Sequence, residues 1–177
     1  MKRKQREERH RYVTYHSTYS SPQGTLTLEC DGEYLCGLRF SSDADASDGK
    51  ACRIDCPPAV FEAVHRWLDT YFAGHEPDTL PPLRLAGTDF QQRVWQELLT
   101  IPFGQTVSYD ELARRIGCRS ARAVGGAVHR NPIAIIVPCH RVVGTDGSLT
   151  GYAYGIERKR QLLEMENDAA FHPLNGG

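Results

Sequence analysis

The tetrapeptide Pro138-Cys139-His140-Arg141 sets a thiol after a proline and beside an imidazole, the ingredients of an activated thiolate nucleophile. The run Ile133 to Val137 before it is continuously apolar, which predicts a buried strand delivering Cys139 at its end. Successive strand residues point to opposite sides, so His140 would not simply stack over Cys139; a turn or a bridging water would have to link them. Buried cysteine is common and a neighbouring histidine often incidental, so a structural thiol is the alternative. Further along, Ile156, Leu163 and Glu166 fall on one side of a predicted helix. That puts a carboxylate on an apolar face, near a carboxyl-terminal end where the helix dipole disfavours it. Either Glu166 frays into water or it has a buried partner such as His140, giving a carboxylate-imidazole-thiol relay of the kind that generates thiolate near neutral pH.

A different chemistry is suggested by Ser120 to Arg130. Gly125-Gly126 stands in the middle of this predicted helix, where each glycine costs about 1 kcal/mol relative to alanine. Arg122, Gly125, Gly126 and His129 share a face at helical spacing, so an arginine projects from a surface without bulk beside it. A nucleic-acid groove could approach such a face closely; tight packing against another helix is the alternative. From Leu112 to Thr145 there are six arginines, at 114, 115, 119, 122, 130 and 141, and no acid. A phosphate backbone responds to such a local run rather than to net charge, although a solvated helix surface would carry the same residues.

The elements that must position these groups are legible in outline. Residues 1–11, with six basic and two acidic side chains, read as a mobile arm. From Tyr12, Leu26, Leu28 and Cys30 alternate with polar residues, Asp31-Gly32 supplies a turn, and Tyr34, Cys36, Leu38 and Phe40 alternate again, which predicts a hairpin. After a polar loop, Ser41 to Lys50, Pro57-Pro58 opens a helix with Phe61, Val64, Leu68, Tyr71 and Phe72 on one face, ended by Gly74. Proline-rich 75–82 reads as a linker, placing a domain boundary near residue 85 between units 12–85 and 86–177. Beyond it, Thr88 and Gln91 have capping-box spacing before the stripe Phe90, Val94, Trp95, Leu98 and Leu99. A helix from about Tyr109 to Ile116, with Leu112, Ala113 and Ile116 inward, is broken by Gly117. Ser120 then caps another, which ends at Asn131-Pro132, and the pair has the outline of a helix-turn-helix.

The 177 residues, 40% hydrophobic and 24% charged with net charge −1, have the proportions of a water-soluble globular protein. No run approaches the ~20 apolar residues of a membrane span, and the amino terminus is too charged for a signal-peptide core. An intracellular, cytoplasmic protein with reduced thiols is therefore expected. Cys30-x5-Cys36 and Cys52-x3-Cys56 lack convincing tetrahedral ligand spacing, so no metal is expected. With no interface heptad, a monomer is the default.

Taken together, Ser108-Tyr109, Arg122-Ala-Val-Gly-Gly-Ala127, Asn131-Pro132, Ile136-Val-Pro-Cys-His-Arg-Val-Val143, Gly151-Tyr152 and Leu162-Leu163 with Glu166 resemble the O6-alkylguanine-DNA alkyltransferases. The motifs occur in order over residues 88–166, and Ser21-Pro22-x-Gly24 is a looser likeness in the amino-terminal half. The resemblance implies an α+β fold: a small amino-terminal α/β domain, an antiparallel sheet with a covering helix in RNase H-like outline, then a mostly helical domain with the helix-turn-helix. It implies double-stranded DNA carrying O6-alkylguanine as partner, minor-groove entry and base flipping, with Ser120, Ala121, Arg122, Gly125, Gly126, Arg130 and Arg141 at the DNA and Arg122 filling the space of the flipped nucleotide. Cys139 would accept the alkyl group, His140 act as base through a water, Glu166 orient it and Asn131 brace the turn. Tyr109 would crowd the target phosphate and hydrogen-bond the base, and Val128, Val143, Tyr152, Ala153 and Tyr154 would surround it.

A thioether has no easy hydrolysis, so this chemistry is single-turnover and requires neither metal nor organic cofactor. Tyr154 is large where several relatives have glycine, which predicts good repair of methyl adducts and poor acceptance of benzyl. The competing readings are an alkyltransferase-like damage-binding protein, a helix-turn-helix regulator and a cysteine hydrolase. The first lacks the acceptor thiol, the second leaves Pro138 to Arg141 and Glu166 unexplained, and the third needs turnover.

Overall fold

In the structure, a computed structural model, residues 14–42 and 59–171 are described. The basic arm, most of the polar loop, Pro57-Pro58, Cys52 and Cys56 lie outside the described residues. Alternating side chains build the first layer. Strands β1 (Tyr15–Ser21), β2 (Gly24–Cys30) and β3 (Leu35–Phe40) form an antiparallel sheet in that order. Leu26, Leu28 and Cys30 face the core as expected. The Asp31 carboxylate holds the next turn by accepting from the backbone of Glu33 (3.1 Å) and Tyr34 (2.9 Å). On β3 the inward set is Leu35, Leu38 and Phe40, with Tyr34 and Cys36 only half-buried. Pairing passes from Glu29↔Gly37 to Cys30↔Leu35, so Cys36 is the extra residue of a bulge that changes the parity of the strand.

Helix α1 (Ala59–Phe72) lays Val60, Phe61, Val64, Trp67, Leu68 and Tyr71 against this layer. The free edge of β3 is used twice. Leu35 donates to the Pro82 carbonyl (2.8 Å) and receives from Arg84 (2.9 Å), while Leu38 donates to Pro132 (2.9 Å) and receives from Ala134 (2.8 Å). The sheet edge thus grips both the segment entering the helical half and the segment leading to Cys139.

In that half, both bonds of the Thr88–Gln91 capping box are present at the start of α2 (Asp89–Leu98). Gly87 is required there because a Cβ would stand 2.6 Å from the Trp95 ring. Trp95 Nε1 donates to the Ala127 carbonyl (2.8 Å), tying α2 to α4 (Ala121–His129). Helix α3 (Tyr109–Arg115) is capped by Ser108 and α4 by Ser120, with a tight turn between them. The two-residue strands β4 (Val107–Ser108) and β5 (Val142–Val143) pair in parallel, fixing the start of α3 beside the segment after Cys139. Helix α5 (Ile156–Phe171) closes the chain. The architecture is the expected α+β one, a small antiparallel sheet unit followed by a helical unit. No described helix is long and apolar enough to cross a membrane.

Candidate active site

The segment delivering Cys139 is not a strand. Residues 133–137 are all buried, yet apart from one bridge to Leu38 they form turns. Ile136 donates to the Ala134 carbonyl (2.7 Å) around Ile135, whose φ of 68° is a costly conformation for a β-branched residue. Pro138 (φ −82°, ψ 65°) centres a second three-residue turn closed by Cys139 N to Val137 O (2.8 Å). The Asn131 side chain holds the loop from within, donating to the Val137 carbonyl (2.8 Å) and accepting from Ile133 N (3.0 Å). A short apolar run reads alike for a buried strand and a buried turn; the Asn131 bonds and the sheet edge decide for the turn. Cys139, His140 and Arg141 then make one turn of 3-10 helix, which replaces the opposed side chains of a strand. Strain held at such a place is a common mark of a functional site.

His140 and Glu166 are both fully buried and meet, Nε2 to Oε1 at 2.7 Å. Glu166 reaches this position from the inner face of α5, which is Lys159, Leu162, Leu163 and Glu166. Ile156, expected on that face, is 48% exposed in the first turn. The helix also continues to Phe171, so Glu166 stands clear of its end. The carboxylate accepts from His140 and Tyr71 Oη (2.7 Å) at Oε1, from Arg141 Nε (2.9 Å) and Gly104 N (3.2 Å) at Oε2, and from Arg141 Nη2 (3.1 Å) at Oε1. Burial alone would raise its pKa, but His140 and Arg141 hold it down at about 2. Glu166 is therefore ionised, His140 donates from Nε2, and the buried Nδ1 has no protein partner among the described residues. Burial also holds the imidazole below its ordinary pKa, against the pull of Glu166.

Arg141 must be reassigned. It is buried, with 8% of its surface exposed, and spends Nε and Nη2 on Glu166 and Nη1 on the Ile101 carbonyl (2.7 Å). Its place in an acid-free run conceals a partner distant in sequence. Arg114 and Arg115 pair locally with Glu111, just outside that run. Arg119, Arg122 and Arg130 are exposed and pair with no acid among the described residues. Around them, Ser120 is exposed, Ala121 partly so, and the inward face of α4 is Val124, Ala127 and Val128. A Cβ at Gly126 would meet nothing within 4 Å and one at Gly125 only the Tyr109 ring at 3.7 Å. Tight helix packing thus does not explain the glycine pair, which shares its face with the exposed Arg122.

The Cys139 thiol is buried, and burial pushes its pKa up, offset in part by the nearby Asn131 amide and by the charge of Lys159. The resting group is a neutral thiol rather than a standing thiolate. Tyr109, Tyr152, Tyr154 and Lys159 all lie within electrostatic reach of the sulfur. Tyr109 is placed by Oη donating to the Thr150 carbonyl (3.1 Å) and by Gly151, where a Cβ would approach that oxygen to 2.7 Å. Tyr152 is buried, its hydroxyl without a partner among the described residues. Tyr154 packs edge-on against Tyr152 (5.5 Å) and against Phe40 of the sheet (5.3 Å), and its pKa is pushed up to about 12 by burial and by Cys139. Val128 and Val143 are buried and Ala153 is exposed.

Two site residues escape a reading of the sequence. Lys159 is fully buried, donates to the carbonyls of Val142 and Thr150 (2.8 Å to the latter), and has its pKa lowered to about 8 by burial. The spacing 159, 162, 163, 166 is its available signal. Tyr71 reads as core, although a buried tyrosine must find a partner for its hydroxyl.

Two family models match the chain: the DNA binding domain of 6-O-methylguanine DNA methyltransferase over residues 89–168 and its ribonuclease-like domain over residues 14–85. A methylated-DNA–protein-cysteine methyltransferase of Mycobacterium bovis is 49% identical over 159 residues, 89% of this chain and 95% of the relative. The crystal structure of the Mycobacterium tuberculosis O6-methylguanine methyltransferase superposes with a TM-score of 0.75 at 46% identity, covering 89% of this chain and 94% of that one. The M. tuberculosis OGT in complex with DNA does so with a TM-score of 0.76 at 48% identity, covering 88% and 94%. With both halves matched in order, and the motifs around Cys139 in the positions described, this chain belongs to the 6-O-methylguanine DNA methyltransferase family.

Proposed function

We propose that this protein repairs double-stranded DNA by transferring the alkyl group, chiefly methyl, of O6-alkylguanine to Cys139 in a single-turnover reaction. The observation that carries the reading is Cys139 set in a turn braced by Asn131 and directly followed by His140 of the buried Glu166–His140 pair, with Lys159 and Tyr109, Tyr152 and Tyr154 within electrostatic reach of its sulfur. The chain divides near residue 85. The amino-terminal unit braces the site, and the carboxy-terminal unit binds DNA through α3 and α4, with Ser120, Ala121, Arg122, Gly125, Gly126 and Arg130 against the minor groove. Arg122 fills the stack after the nucleotide swings out, and Tyr109, Val128, Tyr152 and the backbone at Val143 and Ala153 receive the base.

Chemistry begins from the neutral thiol. As the substrate closes the crevice, Cys139 passes its proton towards His140 Nδ1, directly or through one water, while Glu166 stabilises the imidazolium that forms. Lys159 offsets charge on the sulfur. Sγ attacks the alkyl carbon in line, the carbon–O6 bond breaks, and its electron pair leaves with guanine, which takes back the proton. The thioether persists, so one protein molecule repairs one base. No metal or organic cofactor enters these steps, and the protein works as a cytoplasmic monomer; O4-alkylthymine is a second substrate of the same chemistry.

Incubation with O6-methylguanine duplex followed by digestion is the test. The methyl group is expected on the peptide containing Cys139. Binding without transfer would instead point to a damage-binding protein or a regulator, and continued turnover to a hydrolase.

A further inference from the structure

We propose that Tyr71 is a positioning residue of the acceptor site: by sharing one carboxylate oxygen of Glu166 with His140, it tempers the pull of that carboxylate and keeps the imidazole in its neutral, proton-accepting form. The inference deepens the alkyl-transfer reading and its kinetic arm rests on it. Tyr71 comes from α1, in the sheet-bearing half of the chain, whereas His140 and Glu166 come from the other half. Its hydroxyl crosses that divide to donate to Glu166 Oε1 at 2.7 Å and stands 3.3 Å from His140 Nε2.

Oε1 is thus claimed by three donors, Tyr71 Oη, His140 Nε2 and Arg141 Nη2. Each additional donor spreads the carboxylate charge and weakens its hold on an imidazolium. Among the described residues, the ionisable groups acting on His140 are Glu166 and Lys159 from α5, Arg141 from its own turn, and Tyr71 from α1. Of these, Tyr71 alone is a neutral donor aimed at the very oxygen that His140 uses. Burial and the neighbouring carboxylate keep its hydroxyl protonated well beyond any working pH. The ring is fixed independently, stacked on Trp67 (5.3 Å) and edge-on to Phe72 (5.3 Å) and Phe103 (6.0 Å), so Tyr71→Phe removes the donor and keeps the packing. Arg141, His140 and Gly104 remain to satisfy the carboxylate.

The test is the titration of the His140 ring nitrogens by NMR in the free, full-length protein, without DNA. Tyr71→Phe is expected to raise the His140 midpoint by about one pH unit, the worth of one hydrogen bond to a charged group. Site-specific 3-fluorotyrosine at position 71, a stronger donor of nearly the same shape, is expected to lower it, which keeps the test open if the phenylalanine variant does not fold. The acid limb of the alkyl-transfer rate should move with the ring titration. An unmoved midpoint, a shift in the opposite direction, or a ring that stays neutral in every variant down to acid unfolding overturns the proposal, as does an acid limb that moves without the ring. If the ring titrates as expected while wild-type protein transfers no alkyl group, the repair reading fails and the role of Tyr71 stands.

Discussion

Replacing Glu166 by glutamine removes one charge from the centre of the buried network, and the surroundings of that charge set the size of the loss. The wild-type carboxylate is fully buried, accepts from five donor groups, and titrates at about 2 instead of its ordinary 4.5. A depression of that size is equivalent to at most about 3 kcal/mol of folding stability, and the part owed to His140 is present only where the imidazole is protonated. A folded-state pKa below the unfolded one contributes stability above the unfolded value and loses it as pH falls through the folded value, so the part supplied by Arg141 is complete at pH 7 and fades between about 4.5 and 2. In Glu166→Gln the Arg141 guanidinium faces a neutral amide, for which roughly 3–5 kcal/mol is the usual cost of breaking a buried pair. His140, whose folded pKa is also depressed and which titrates together with Glu166, adds a loss of stability below about 6.5. Urea unfolding of both proteins at a series of pH values measures the difference. The variant should be less stable by about 3–5 kcal/mol at pH 7, with the gap narrowing as pH falls below about 4.5. A variant within about 1 kcal/mol of wild type at pH 7, or a gap constant from neutral to acid pH, would refute the assignment of Glu166 as the charged centre of the site.

Three further outcomes are expected. Tyr154→Gly, by opening the wall beside the sulfur, should increase inactivation by O6-benzylguanine while methyl repair persists; no gain in inactivation rate contradicts the narrow-pocket reading. Lys159→Met, by removing the cation near Cys139, should slow modification of that thiol by iodoacetamide roughly tenfold at neutral pH, and an unchanged rate would show that the charge does not reach the sulfur. Arg122→Ala should weaken duplex binding and reduce the slope of log affinity against log salt by about 1, whereas Arg141→Lys should leave the slope unchanged and lower the urea midpoint; the reverse pattern would undo the reassignment of Arg141.

What sequence can reveal here depends on the range of the interaction. Local signals are faithful: the Thr88–Gln91 box, the serine caps of α3 and α4, and the inward Leu26-Leu28-Cys30 set all reflect contacts within a few residues. Cys139, His140 and Glu166 stand out because their residue types are unusual in apolar surroundings. Features set by distant chain segments are hidden. The turn at Ile135 depends on Asn131 and the β3 edge, the bulge at Cys36 on its partner strand, and the burial of Arg141 on Glu166 and Ile101. Tyr71 and Lys159 carry polar ends on aliphatic or aromatic bodies, so an apolar stripe absorbs them without trace.

The most direct trial of the mechanism is an intact-mass time course with O6-methylguanine duplex in tenfold molar excess, together with peptide mapping. The chain should gain the mass of a single methyl group, the map should place it on Cys139, and restored guanine should plateau at one equivalent per protein. An unaltered mass, a methyl group on any other side chain, or repair that continues past one equivalent would contradict a buried thiol acting once as the acceptor.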